Sequence, residues 1–363
     1  MRVLIVLLGV LTLNACAPQP DRAELGEFWV GKPIAPFPDS EALFERESTF
    51  VYPLDLEINE ERIEEDFNGI DPRDAPPPYV FGEEIDVDEE EISIASFNIQ
   101  NLGWNYKRRN SWEYRLMAEM IRRHDVIVIQ EVQNEQGVRL LMEKLIDKKQ
   151  PWGVLYPVDN GEGKHSESVL FLWKRDRISL VSRGNYLNTN MKRDPYWAAF
   201  RVRANDPNAF DFVLMTTHTK PYLAQEINAL NLAATQARQA LAGSPPPATS
   251  GLTDGEPDVI LAGDFNAGIQ PKGARAQPSD AAFRLAFGDA QNGPPPKPSK
   301  VIVATSTMMK SNRANDNMIW WAPTDEDYSG FGGTRTPSNR PKPGLVSDHK
   351  LIFGRFYAAR DSD

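Results

Sequence analysis

The chain of 363 residues has one cysteine, Cys16, and only four histidines. A single cysteine permits no intrachain disulfide, so the fold has to be held by its core. Basic residues are outnumbered, 40 Lys and Arg against 51 Asp and Glu, which leaves a formal charge of −11. That deficit argues against a general nucleic-acid coating protein, although a local basic groove can sit on an acidic body. Bound cations would offset part of the acidity. No internal repeat period is evident. Hydrophobic residues nevertheless make up 41% of the chain, enough for a sizeable core and against global disorder.

The first residues read as a targeting segment. Arg2 supplies a short positive start and Val3 to Leu13 an apolar stretch, too short for the roughly 20 residues of a spanning helix. Leu13-Asn14-Ala15-Cys16 then resembles a bacterial lipobox. Residues 1–15 are therefore expected to be a lipoprotein signal peptide, with Cys16 lipidated and anchoring the chain to a membrane of a bacterial cell envelope. Cleavage there removes one base, Arg2, and no acid, taking the charge from −11 to −12. Ala17 is not the acidic residue associated with inner-membrane retention in some bacteria, which favours the outer membrane.

Residues 16–90 read as a tether and irregular N-terminal extension. Pro18, Pro20, Pro33, Pro36 and Pro38 punctuate its start, and Pro76-Pro77-Pro78 and the acidic run Glu83 to Glu91 close it. The run reads as a solvated, self-repelling segment, without the ligand spacing or central glycine of a calcium loop. Phe28, Trp29, Phe44, Phe50, Val51 and Tyr52 give the extension some apolar surface to pack.

A regular pattern covers residues 91–358. Ile92 to Phe97 alternates as a strand does, and Val126 to Ile129 is a buried β-branched run. Trp112 to Arg123 and Gln136 to Asp147 carry apolar residues at helical spacing, and Ala224 to Leu241 is rich in helix formers. Ser168 to Trp173 and Ile178 to Val181 read as strands paired around the turn Lys174-Arg175-Asp176. Phe210 to Thr217, Val259 to Ala262, Met318 to Trp321 and Lys350 to Phe356 are further strands. Gly243 to Pro257, Gly293 to Lys300 and Tyr328 to Gly344 are Pro/Gly-rich loops. Strands interleaved with helices predict a layered α/β sandwich.

Six polar motifs lie beside these strands: Ser96-Phe97-Asn98-Ile99-Gln100, Ile129-Gln130-Glu131-Val132, Thr217-His218-Thr219, Gly263-Asp264-Phe265-Asn266, Asn315-Asp316-Asn317 and Ser347-Asp348-His349. They combine hard oxygen donors with two histidines able to move protons. That set suits metal-assisted cleavage of a phosphodiester, in which a divalent cation neutralises charge on the phosphoryl oxygens. Glu131 follows an apolar strand, where an acid has no packing role, and is the first candidate ligand. Asn98 offers an amide oxygen to metal or phosphate. Gly263 permits a sharp turn, after which Asp264 and Asn266 point one way and Phe265 the other. His349 is placed for proton transfer, with Asp316 to orient it. Asp348 is suited to orienting a ring or holding metal. His218 ends a strand, with Glu167 as its partner. His124 reads as a solvated residue at a helix terminus. Trp173, Trp320 and Trp321 read as core.

These motifs, in this order, resemble the endonuclease/exonuclease/phosphatase superfamily, and within it the deoxyribonuclease-I-like branch. Ile94 to Gln100 and Arg122 to Val132 carry the resemblance most clearly, and it covers about Ile92 to Phe356. It implies a four-layer α/β sandwich of two packed, mainly antiparallel sheets flanked by helices. It also implies Mg²⁺ as cofactor, with Mn²⁺ as an alternative, and names no position for a structural Ca²⁺. By resemblance, Asn98, Glu131, Asp264, Asn266 and Asp348 fall on metal and phosphate positions. His218 and His349 fall on the two catalytic histidines, with Glu167 and Asp316 as their acidic partners. Arg193 falls on an arginine that contacts DNA phosphate, and Lys107-Arg108-Arg109 is a second basic cluster that suits phosphate. Pancreatic-type enzymes enter the minor groove with an arginine and a tyrosine. Gln133 and His165 stand at those positions here, which weakens the case for duplex DNA.

The sequence therefore points first to a monomeric, lipid-anchored, Mg²⁺-dependent DNA endonuclease. A phosphatase or phospholipase acting on a lipid, inositol phosphate or nucleotide shares the same core residues and is the second expectation. A non-catalytic surface lipoprotein is the third, and it would predict eroded motifs.

Overall fold

The computed structural model describes residues 91–103, 109, 111–145, 150–156, 167–185, 191–204, 209–243, 258–271, 273–288, 300–303, 307–308, 311, 313–321, 324–335 and 346–359. The expected signal peptide, Cys16, the tether, Lys107, Arg108 and His165 lie outside the described residues.

Twelve strands form two six-stranded sheets. The first has the order β11 (Tyr328–Arg335), β12 (Leu351–Tyr357), β1 (Glu91–Leu102), β2 (Val126–Val132), β4 (Ser168–Lys174) and β3 (Trp152–Leu155). The second has the order β5 (Ile178–Asn185), β6 (Tyr196–Val202), β7 (Asp211–Thr216), β8 (Val259–Asp264), β10 (Asp316–Trp320) and β9 (Lys300–Val303). Neighbouring strands are antiparallel, except for β1 with β2 and β7 with β8, the central pair of each sheet. A parallel pair requires a crossover, and a helix supplies each one. These are α1 (Ser111–Ile121) in the first sheet and α3 (Ala224–Gly243) in the second.

Burial follows from the periodicities. Alternate residues of both sheets, among them Ile94, Val128, Phe171, Phe200, Phe212, Trp320 and Phe356, meet between the sheets as one core. The opposite face of the first sheet packs on α1 and α2 (Glu135–Leu145). α1 buries Tyr114, Met117, Ala118 and Ile121, and α2 buries Val138, Leu141, Met142 and Leu145. Both sets have the i, i+3, i+4, i+7 spacing of one helix face. The opposite face of the second sheet packs on α3 and α4 (Pro278–Phe283) through Ile227, Leu230, Phe265, Phe283 and Trp321. The layers run helix, sheet, sheet, helix, which is the expected four-layer α/β sandwich.

Three expectations are corrected. Ser168 to Trp173 and Ile178 to Val181 do not pair with each other. β4 joins β2 and β3, whereas β5 joins β6 in the other sheet, so the chain changes sheets at residues 175–177. Part of the third Pro/Gly-rich loop is strand β11, whose glycines hide the alternation that would mark it. His124 is not solvated: it is fully buried, with Nδ1 2.7 Å from Ser93 Oγ and its ring 5.3 Å from that of Phe353. Trp173, Trp320 and Trp321 are core residues, as expected.

Candidate active site

The polarity of the strands explains why six dispersed motifs meet. β1, β2, β7 and β8 end at one edge of the sandwich, and β4, β6, β10 and β12 begin there. Their motifs therefore face one another at the carboxyl ends of the two parallel pairs, where ligands bind in many α/β sheets.

Two irregularities aim the side chains. Asn98 lies on the intersheet face of β1, in register with Gln130 of β2. Glu131, the next residue, would point outward in a regular strand. It has φ +59° at a register shift in β2, and this bulge brings its carboxylate to Asn98, Nδ2 to Oε1 2.8 Å. Gln100 and Asn101, at φ +57° and +58°, curl around the same point. Asn101 N donates to Glu131 Oε2 at 2.9 Å, and Gln100 N donates to Asn98 Oδ1 at 3.0 Å. Asn266, at φ +45°, turns the chain after β8 so that its N–H donates to Asp264 Oδ1 at 2.9 Å. Phe265 points away into the core.

Two histidine–acid pairs converge on Asp264. His218 Nδ1 lies 2.7 Å from Glu167 Oε2, and His349 Nδ1 lies 2.9 Å from Asp316 Oδ2. Both Nε2 atoms approach the same oxygen, Asp264 Oδ2, at 3.5 Å for His218 and 3.6 Å for His349. Asn98 Nδ2 donates to that oxygen at 2.9 Å. The acid on each Nδ1 sets ring orientation and tautomer, which leaves each Nε2 to face the centre.

The electrostatics follow. Burial alone would lower His349, but Asp316, Asp264 and Asp348 outweigh it and push the imidazole up to about 10. Burial would also lower His218, and the Glu167 hydrogen bond and the charges of Asp264 and Glu167 raise it instead. Asp264 feels burial as an upward push, yet the two histidines, the Asn266 N–H and Asn98 hold its carboxyl below the usual range. Glu167 is likewise lowered against burial, by His218 and Arg193. Asp316 is raised, first by burial and then by Asp264, with His349 working against both. We place the proton that this pair shares on the imidazole, because it faces three carboxylates.

Glu131, Asp264 and His349 bring one ligand atom each within 4.8 Å of one another. Two carboxylates suit a hard divalent cation, which Glu131 and Asp264 would hold with His349 beside them. Asn98, expected to offer its amide oxygen, accepts from Gln100 N at that oxygen and directs its Nδ2 at the two carboxylates. Asp348 stands at the rim, 3.8 Å from His349 Nε2 and outside that group of three. Asn266 Nδ2 donates to Thr219 O at 2.8 Å, which ties the His218 loop to the Asp264 turn.

Two residues expected to meet phosphate are also held by acceptors of the protein itself. Arg193 lines a shallow open cleft with Glu131, Glu167 and His218. Its guanidinium is bound to Glu167 Oε1 at 2.8 Å and His218 O at 3.0 Å, so it braces a dyad. Arg109 is held beneath the site. It caps the carbonyls of Ile99, Gln100 and Val346, fastening β1 to the segment before His349. Gln133 sits on the outer lip, with Nε2 3.1 Å from Asn101 Oδ1.

A family profile described as "Endonuclease/Exonuclease/phosphatase family" matches residues 95–349, a span that contains every one of these groups. The chain belongs to this family. Two curated relatives are deoxyribonucleases. That of Thioalkalivibrio sp. (strain K90mix) is 32% identical over 132 residues, 35% of each chain. Deoxyribonuclease-1 of Bos taurus is 27% identical over 189 residues, 48% of this chain and 61% of the relative. The chain thus spans about a third to three fifths of the length of the curated relatives it matches. Among solved structures, D. rerio TDP2 humanized by 14 mutations aligns at TM-score 0.48 and 18% identity, covering 74% of this chain and 99% of that one. A mannosyl-6-phosphatase of Bacteroides thetaiotaomicron aligns at TM-score 0.47 and 14% identity, covering 72% and 98%.

Several residues that support the site had no role assigned to them from the sequence. Thr307 Oγ1 accepts the backbone N–H groups of Asn315, at 2.8 Å, and Asp316, at 3.0 Å. Ser347 Oγ donates to Asn98 O at 2.6 Å and accepts from His349 N at 3.0 Å. Arg313 joins Asn315 Oδ1, at 3.1 Å, to the Asp280 carboxylate. Gln130 is part of a visible motif, but its task is not. It spans the sheets by donating to Ser96 Oγ and Thr216 Oγ1, each at 3.0 Å. A buried polar residue inside an apolar strand was the available hint.

Proposed function

We propose that this family member hydrolyses phosphodiester bonds in DNA with a divalent cation, Mg²⁺ or Mn²⁺. The observation that carries the reading is the convergence of two histidine–acid pairs on one ionised carboxylate, Asp264. Glu131 and Asp264, with His349 beside them, are the residues that would hold the ion, which would neutralise phosphoryl charge. Asp264, kept ionised, orients the attacking water and accepts its proton. His349 stays an imidazolium across the neutral range and pairs with a non-bridging phosphoryl oxygen. His218 gives its Nε2 proton to the leaving 3′ oxygen, and Glu167 stabilises it while charged. The bond from phosphorus to that oxygen breaks as the bond to water forms, leaving 3′-hydroxyl and 5′-phosphate ends. Arg193 holds the His218 pair in register.

Similarity to deoxyribonucleases supports DNA as the substrate. The lipobox-like segment ending at Cys16 supports a place in the bacterial cell envelope. The test is a substrate panel with Mg²⁺: supercoiled plasmid, phospholipid vesicles, an inositol phosphate and a nucleotide monoester. DNA cleavage that weakens steeply with salt supports the reading, because phosphate contacts release counterions. An intact plasmid beside rapid hydrolysis of a small ester would sink it.

A further inference from the structure

The chain leaves β7 through His218 and reaches α3 by the turn Lys220-Pro221-Tyr222-Leu223, every residue of which is exposed. The turn starts at the edge of the sandwich that carries the site. Tyr222 has φ +70° and is 61% exposed. A turn with proline second and a positive φ third usually takes glycine or asparagine in third place, because a Cβ is strained there. This chain places a large aromatic ring in that position, and the ring gains little burial in return. Local folding gives no reason for that choice, whereas a partner for the exposed ring face does.

The root of the turn is held firmly. Glu226, in the first turn of α3, is 4% exposed and accepts two backbone N–H groups. Lys220 N donates to Oε2 at 2.6 Å, and Lys192 N donates to Oε1 at 3.2 Å. Alongside, Thr217 Oγ1 donates to Arg193 O at 3.2 Å, and Thr219 N donates to Asp264 O at 3.0 Å. The loop 191–195 before β6 and the turn after β7 therefore run side by side next to His218, with one exposed lysine on each. On a chain of charge −11, the two lysines make a local basic spot beside the site.

Lysines beside an aromatic ring match the platforms that bind a single nucleic-acid strand, in which cations follow the phosphates and the ring stacks on a base. A duplex hides its base faces in its own stack; an unpaired strand presents them. We propose that Lys192, Lys220 and Tyr222 form a lip that grips the substrate strand on the 5′ side of the cut, the lysines on phosphate and Tyr222 on an unpaired base. The lip gives the enzyme a preference for single-stranded over duplex DNA. It rests on the proposed function, in which His218 gives its proton to the leaving 3′ oxygen. That oxygen belongs to the nucleotide 5′ of the cut, so the strand on that side runs out past His218. Tyr222 lies four positions after His218, a reach of at most about 14 Å. A strand covers that length in about four nucleotides.

The test reads binding apart from catalysis. Tyr222→Gly is the informative variant, because it removes the ring and suits the turn, so the melting temperature should hold. Binding of a labelled oligothymidylate and of a blunt-ended hairpin duplex is followed by fluorescence anisotropy with Mg²⁺ in the His349→Ala background, where cutting is slow. The lip predicts about tenfold weaker single-strand binding in Tyr222→Gly, recovery in Tyr222→Trp, and a change within about twofold for the duplex. Lys192→Gln and Lys220→Gln should each lower the salt slope of single-strand binding by about 0.7. In the otherwise unchanged chain, on a strand with one cleavable linkage, an abasic residue on its 5′ side should erase the Tyr222→Gly effect on kcat/KM, and one on its 3′ side should not. Unchanged single-strand affinity, an equal loss on the duplex, or an abasic effect on the 3′ side alone would overturn the lip. Loss of binding to anionic phospholipid vesicles, with oligonucleotide binding untouched, would assign it to a lipid surface and also overturn it. A wild type that grips the strand at these residues but cuts no DNA would defeat the proposed function and leave the grip standing. Cut plasmid with no effect of Tyr222→Gly would defeat the lip alone.

Discussion

Asp316→Asn probes how the His349 imidazolium is held. Asp316 Oδ2 lies 2.9 Å from Nδ1, and both side chains are nearly fully buried. Against burial, Asp316, Asp264 and Asp348 raise the imidazole from 6.5 to about 10. That rise is about 5 kcal/mol in favour of the cation. Asp316 is the largest of the three acidic influences; taking its share as about half gives about 2.5 kcal/mol, a factor of about 60. The amide also loses the strict acceptor character that orients the charged ring and, once the ring is neutral, fixes its tautomer; in a serine-protease triad such a change costs about 10⁴ in rate. The expected rate loss therefore lies between about 60-fold and about 10⁴-fold. The sign is set by the raised value: the wild-type ring stays charged below about 10. In the variant the ring loses its proton at lower pH, so activity should fall as pH rises through the reduced value. NMR titration of the imidazole in metal-free protein, beside initial rates of plasmid nicking, measures both effects. A rate within about threefold of wild type, with an unchanged titration, would refute the reasoning.

Other consequences can be checked independently. Burial and then Arg335, Lys174, Arg123 and Arg355 push His124 well below 6.5, so its neutral form is favoured by folding. Its contribution to stability is full above the unfolded value and is lost as pH falls below it, by up to about 1.4 kcal/mol per unit. Urea midpoints at pH 7.5 and 5 should drop less in His124→Gln than in wild type, and equal drops would contradict this. In Gly263→Ala the new Cβ would fall 2.3 Å from Thr217 O, forcing β8 from the His218 loop. About 1–3 kcal/mol of stability and most of the activity should be lost, read as Tm and rate. Gln130→Leu leaves the Ser96 and Thr216 hydroxyls without their shared donor. It should cost about 1–3 kcal/mol in a urea melt, and an unchanged midpoint would remove the intersheet bridge from the account.

The elements readable in the sequence were those whose periodicity is complete. α2 and β8 were legible because apolar residues recur at helical spacing or run unbroken into Gly263. β11 was not, since glycines at 330, 332 and 333 erase its alternation. The pairing of β4 was misread because a short turn between two strands suggests a hairpin, and nothing local records that β5 belongs to the other sheet. At the site, the two histidine–acid pairs were legible because acids and histidines are scarce beside apolar strands. The direction of a side chain was not. Asn98 presents N–H groups because a positive-φ turn at Gln100 claims its oxygen, and Arg193 and Arg109 are drawn onto protein acceptors. His124 was assigned to solvent from its place after α1, although Ser93, 31 residues earlier, supplies its buried partner.

The central claim is that His218 and His349 act together on a phosphodiester at Asp264. It is tested most directly by nicking of supercoiled plasmid with Mg²⁺, comparing wild type, His218→Ala, His349→Ala, the double variant and an EDTA control. The account predicts cleavage abolished by EDTA, a severe loss in each single variant, and a double variant hardly worse than either, because the two rings serve one transition state. Cleavage that persists in EDTA, or losses that multiply independently from modest single effects, would contradict it.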